Sequence, residues 1–132
     1  MAMNIGEAAA QSQISAKMIR YYEDIGLLPA PARRPSGYRL YEADDVHRLR
    51  FIRRARDFGF SMPQIRELLA LWSDRSRSNA EVKQIALAHA AALEAKIADL
   101  SALRKTLATL ARTCHGDGRP DCPILDNLAE EG

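Results

Sequence analysis

Asn4-Ile5-Gly6-Glu7-Ala8-Ala9-Ala10-Gln11-Ser12-Gln13-Ile14-Ser15-Ala16-Lys17-Met18-Ile19-Arg20-Tyr21-Tyr22-Glu23-Asp24-Ile25-Gly26 is the stretch on which the fold turns. Asn4 with Glu7 three residues on has the form of a capping box, and Ile5, Ala8 and Ala9 give a helix from Ile5 to Gln11 a small apolar face. The polar run Gln11-Ser12-Gln13 breaks it. Ser15 then caps a second helix, Ala16 to Asp24, in which Met18, Ile19, Tyr22 and Ile25 recur at helical spacing until Gly26. Two short helices around a tight polar turn are the layout of a helix-turn-helix, whose second helix enters a DNA major groove. Ser15, Lys17, Arg20 and Tyr21 are then its candidate DNA contacts. Packed helix hairpins share this layout, so the flanking sequence has to decide.

On the carboxyl side, Leu28 to Tyr41 holds Pro29, Pro31 and Pro35, which exclude a continuous helix, and Pro35-Ser36-Gly37 is a turn signal. The segment reads as a small β hairpin, a wing with Arg33, Arg34 and Arg39 projecting toward the DNA backbone. Tyr38 and Tyr41 alternate with them; the tyrosines, Tyr41 at least, can equally serve to pack the wing on the second helix. Glu42, Asp44 and Asp45 place negative charge at the start of a third helix carrying Val46, Leu49 and Ile52 as far as Gly59. Ser61-Met62-Pro63-Gln64 opens a fourth, with Ile65, Leu68, Leu69 and Trp72 on its apolar side. Trp72 reads as a packing residue rather than a recognition residue.

Past a polar linker, Ser73 to Ser78, another capping-box pattern starts a helix without Gly or Pro to Arg112. At 1.5 Å per residue it is roughly 45 to 50 Å long. Leu93, Ile97, Leu100, Leu103, Leu107 and Leu110 form a seam of heptad type along it. The simplest partner for that seam is a second copy of the chain, which would set two helix-turn-helix units on the two halves of a palindrome. The organisation expected is therefore a winged helix-turn-helix in 1–72, a linker in 73–78, a dimerisation helix in 79–112, and a loop with a terminal short helix in 113–132. The fold class is mainly α with a small β wing.

Composition is compatible with this. The 132 residues, 47% hydrophobic, suffice for one modest domain with an appended helix. Residues 1–78 hold 13 Lys/Arg against 9 Asp/Glu, a net of +4, whereas 79–132 hold 6 against 8, a net of −2. Arg48, Arg50, Arg53, Arg54 and Arg56 fall within nine residues, a run that suits phosphate or simply a solvated helix face. A basic-then-apolar leader and a membrane-length apolar window are both missing from the sequence, so the expectation is a cytoplasmic protein with no membrane partner.

Taken together, Asn4-Ile5-Gly6-Glu7-Ala8-Ala9, Ile19-Arg20-Tyr21-Tyr22-Glu23, Gly26-Leu27-Leu28, Gly37-Tyr38-Arg39, Tyr41, Asp45-Val46 and Gly59-Phe60-Ser61 resemble the winged-helix domain of MerR-family transcription activators. The carboxyl end, with Asp121-Cys122-Pro123-Ile124, resembles the copper-sensing, CueR-like branch. The resemblance implies a homodimer joined by an antiparallel coiled coil and seated on an overlong promoter spacer. It implies that effector binding distorts the double-stranded DNA so that RNA polymerase can use both promoter elements. By position it carries DNA contacts onto Lys17, Arg20, Tyr22, Arg33, Tyr38 and Arg39, and makes Cys114 and Cys122 the metal ligands; Gly37, at the wing turn, is counted with the DNA-binding candidates. Asn79 stands where the divalent-metal sensors of the family place a cysteine and the copper sensors commonly a serine, which makes it the residue to examine for coupling and selectivity.

The ligand chemistry agrees. Two thiolates select Cu(I) and its relatives Ag(I) and Au(I), whereas zinc would need His115 with Asp117 or Asp121, or groups from another subunit. His115 adjoins Cys114 in sequence, and adjacent side chains point apart, which favours a solvent-facing histidine. A disulfide is disfavoured by a reducing cytoplasm, though a thiol redox switch stays open. An enzyme with a nucleophilic cysteine is not expected: His47, His89 and His115 are the available imidazoles, and no core encloses the loop.

Overall fold

The structure is a computed structural model, and it describes residues 2–33, 35–118 and 120–130. The chain divides into two units, one through Val82 and one from Lys83 onward.

In the first unit, helix α1 (Ile5–Ser12) begins where Asn4 Oδ1 accepts the Glu7 N–H at 2.8 Å and Glu7 Oε1 accepts the Asn4 N–H at 3.2 Å. It stops at Gln13, which takes a left-handed conformation at φ 60°. Helix α2 (Ala16–Asp24) starts on the Ser15 hydroxyl, which accepts the Met18 N–H at 3.2 Å. Gly26, at φ 80°, then reverses the chain so that Leu27 N–H can return to the Tyr22 carbonyl at 2.9 Å. Strands β1 (Ala32–Arg33) and β2 (Arg39–Leu40) pair antiparallel, Ala32 opposite Leu40 and Arg33 opposite Arg39. Tyr41 extends the ladder by exchanging two 2.8 Å backbone hydrogen bonds with Met3, so the wing is tied to the start of α1.

Helix α3 (Ala43–Asp57) has Asp44 and Asp45 in its first turn and Arg54 and Arg56 in its last, the arrangement the helix dipole favours. Helix α4 (Met62–Ser73) carries the full Ser61/Gln64 box with Pro63 in its first turn. The apolar faces of these helices meet in one core in which Ile19, Tyr22, Tyr41, Leu49, Ile52 and Ile65 are fully buried. Each buried Ile or Leu contributes about 1.5–3 kcal/mol. Trp72 packs on Phe51, the rings stacked at 4.6 Å and 11°, and stays half-exposed.

The second unit consists of most of α5 (Asn79–Thr113) and of α6 (Pro123–Ala129). Neither helix has a buried residue. Near the end of α5, Thr106 and Thr109 donate their hydroxyls to the carbonyls of Ala102 and Lys105, at 3.1 and 2.9 Å, and Thr113 donates to Leu110 at 2.9 Å. Leu125 and Leu128 on α6 are 65% and 69% exposed. A seven-residue helix behind a Gly-rich loop is too short to cover them by itself. Among the described residues no helix is long and apolar enough to cross a membrane.

Candidate functional site

Helix α2 separates its two faces cleanly. Ile19 and Tyr22 point into the core, while Lys17, Arg20 and Tyr21, at spacings of three and one, form an exposed stripe. Ser15 is exposed as well, with its oxygen engaged as the helix cap. Tyr22, expected among the DNA contacts, faces the core instead of this stripe. It is 0% exposed, and its hydroxyl accepts from Arg56 Nη1 at 2.7 Å, so it holds a cation rather than offering a surface. Arg56 and Arg53 line a cleft of about 370 Å³ together with Ser15, Met18 and Tyr22.

The wing also departs from the expected row of projecting arginines. Arg33 is exposed, and its Nη1 donates to the Gly37 carbonyl at 3.0 Å across a turn in which Gly37 sits at φ 89°. Tyr38, at the tip, is 73% exposed. Arg39 is drawn back instead: Arg39 Nε lies 3.2 Å from Glu23 Oε2. That N–H is not aligned as a hydrogen bond, so the contact is charge pairing. Tyr41 donates its hydroxyl to the other oxygen of Glu23, and burial followed by this hydrogen bond pushes its phenol above the ordinary tyrosine range. Tyr41 is thus the packing residue its alternation suggested. Arg34 lies outside the described residues.

The arginine run of α3 is divided in use. Arg50 clamps the end of α1 by donating Nε and Nη2 to the Gln11 carbonyl at 3.1 and 3.0 Å. Arg54 lies over the Phe58 ring at 4.8 Å, and Arg56 is held by Tyr22. The ties of Arg50 and Arg56 join residues more than thirty positions apart, and nothing in the local spacing of the run announces them.

Between α4 and α5, Asp74 accepts the hydroxyl of Ser76 at 2.6 Å and its N–H at 2.9 Å, which lowers the Asp74 carboxyl below its usual range. Asn79 is exposed, its Oδ1 accepting from Arg77 Nη1 at 3.0 Å. Along α5 the seam residues Leu93, Ile97, Leu100, Leu103 and Leu107 are all exposed, and Leu110 is half-buried.

Cys114 closes the last turn of α5, its N–H donating to the Leu110 carbonyl at 3.1 Å. Gly116, at φ 65°, turns the loop, and Cys122 enters α6 with its carbonyl accepting the Asp126 N–H at 2.9 Å. The two thiols are free, partly buried, and line one cavity of about 360 Å³. His115, Asp117 and Asp121 border the same cavity, and His115 is exposed. Among the described residues no three or more His, Cys, Asp or Glu side chains are grouped so as to hold a metal ion.

Comparison with known proteins matches two family profiles. The one described as MerR HTH family regulatory protein covers residues 3–72, and that described as MerR, DNA binding covers 46–110. The chain is 60% identical over 130 residues to the HTH-type transcriptional regulator HmrR of Sinorhizobium medicae, covering 98% of this chain and 88% of that protein. It is 39% identical over 127 residues to the HTH-type transcriptional regulator CueR of Salmonella typhimurium, covering 96% and 92%. Among solved structures, PbrR691 from Ralstonia metallidurans in complex with lead(II) superposes with a TM-score of 0.82 at 37% identity, covering 96% of this chain and 99% of that one.

Proposed function

Because this chain belongs to the MerR family of DNA-binding transcription regulators, we propose that it is a Cu(I)-responsive activator in which Cys114 and Cys122 receive the ion. The observation that carries the reading is the placing of both free thiols around one cavity at the end of the long helix. Two soft donors suit Cu(I), with Ag(I) and Au(I) as surrogates, better than zinc, which seeks four ligands. Cys114 and Cys122 would hold such an ion as thiolate donors, and this chain's contribution is to bring the two ends of the loop to one cavity. Likeness to CueR agrees with a copper effector, while PbrR691 was solved with lead(II), so the assay has to separate the metals.

In this reading the protein works in the cytoplasm as a homodimer through the Leu93 to Leu110 seam. It places Lys17, Arg20 and Tyr21 in the major grooves of a palindromic promoter spacer and its wings on the backbone, distorting the DNA for RNA polymerase. Asn79, in the position that distinguishes metal classes among its relatives, bears on selectivity. The test is promoter transcription by reduced protein under anaerobic conditions with Cu(I), Ag(I), Zn(II) and Pb(II). Cu(I) and Ag(I) should activate, and Cys114→Ser with Cys122→Ser should abolish activation while leaving DNA affinity within about threefold. Full activation of that double variant by Cu(I), or a response to Zn(II) or Pb(II) alone, overturns the copper reading. The placing of both free, partly buried thiols on one cavity favours a second reading, a thiol redox switch, which predicts induction by peroxide that survives a tight Cu(I) chelator.

A further inference from the structure

Glu23 sits in the recognition helix, yet its side chain is only 6% exposed and faces the wing rather than solvent. A carboxylate kept out of water is costly unless both oxygens are engaged, and here both are, by Tyr41 and by Arg39. The register of the wing gives this pairing a purpose. Arg33 and Arg39 stand directly opposite each other, and like charges facing across a ladder repel. Glu23 neutralises one member, Arg39, and leaves Arg33, which is tied only to the Gly37 carbonyl among the hydrogen bonds described, as an exposed cation of the wing. Two strands of two residues are too short to fix their own direction, so the wing depends on what anchors it. The neutral phenol of Tyr41 remains a donor to that carboxylate throughout the physiological range.

We infer that Glu23 is the positioning residue of the wing: by clamping Arg39 and Tyr41 to α2 it presents Arg33 to a DNA phosphate at a fixed offset from Lys17 and Arg20. Arg39 and Arg33, alike in sequence, thereby divide into anchor and reader. The inference rests on the wing's being a DNA contact, and the test separates the two claims.

The measurement is the affinity of the full-length protein for a duplex that the wild type selects from a random pool, followed over a salt series. Arg33→Ala alone should weaken binding and reduce the salt slope of the homodimer by about 1.8, the signature of one lost phosphate contact per subunit. Glu23→Gln should do nearly the same, with a roughly tenfold loss at low salt, although Arg33 is still present. Combined with Arg33→Ala, it should cost less than twofold more. A structural role alone would lower the melting temperature and leave the salt slope and the additivity of the two losses intact, and that result overturns the inference. An unchanged affinity for Arg33→Ala overturns the wing contact itself, and the inference with it. If Glu23→Gln does not fold, Tyr41→Phe in the same cycle with Arg33→Ala answers the question, since it removes one of the two clamps and keeps the ring.

Discussion

The two units of this chain solve the problem of apolar surface in opposite ways. Through Val82, four helices and a short ladder enclose Ile19, Leu49, Ile52 and Ile65 completely, with Tyr22 and Tyr41 finishing the core. From Lys83 onward no residue of α5 or α6 is buried, although Leu93, Ile97, Leu100, Leu103 and Leu107 repeat along one line. The first unit contains the information for its own packing. The second has the periodicity of a packed helix and, among the described residues, buries none of it, which in a family of dimeric regulators points to a second copy.

The strongest way to break this contrast is Leu100→Asp with Leu103→Asp. Sedimentation should show the dimer converted to monomer, and affinity for a palindromic duplex should fall by about 100-fold or more as the two half-sites cease to be held together. Thermal unfolding of the amino-terminal unit should hardly move, and persistence of the dimer would show that the seam is not the interface. Next in size, Ile52→Ala attacks the other side of the comparison. It should destabilise the first unit by about 2–5 kcal/mol in denaturant unfolding while leaving the oligomeric state intact. The smallest effect sharpens the contrast within the core. Tyr41→Phe removes one hydrogen bond, costing about 1 kcal/mol at neutral pH. Because the native pKa of Tyr41 is raised, its contribution is fully present below about pH 10, where an unfolded tyrosine ionises, and is lost as pH rises beyond it. The variant and the wild type should therefore converge in stability in alkali, a trend that unfolding curves from pH 7 to 11 would reveal or refute.

Local rules sufficed for α1, α2 and α4 because each carries its start signal within four residues. Asn4 with Glu7, Ser15 and Ser61 with Gln64 all cap where their sequence pattern places them, and Gly26 and Gly59 lie at the ends of helices in left-handed backbone. Those signals say nothing of distant partners. Glu23 joins residues 16 and 18 positions away, and Arg50 a carbonyl 39 positions back, so neither clamp was legible. Tyr22 is a different case. Its spacing with Ile19 already placed it on the apolar face, a local signal that conflicted with a DNA contact carried over by likeness, and the core confirms the spacing. The cysteine pair was legible as chemistry from two thiols around a Gly-rich loop; that both border a single cavity required the backbone turn at Gly116.

The threonines at the end of α5 bear on how such a helix would answer a force. Each hydroxyl that bonds back to its own helix competes for the carbonyl it reaches, and such contacts slightly weaken and bend a helix. Three of them fall in the last eight residues before Cys114, so the backbone bonds of that stretch are the ones expected to yield first. A small change in loop length there is taken up first as curvature of the final two turns, and amide exchange should be fastest in that stretch.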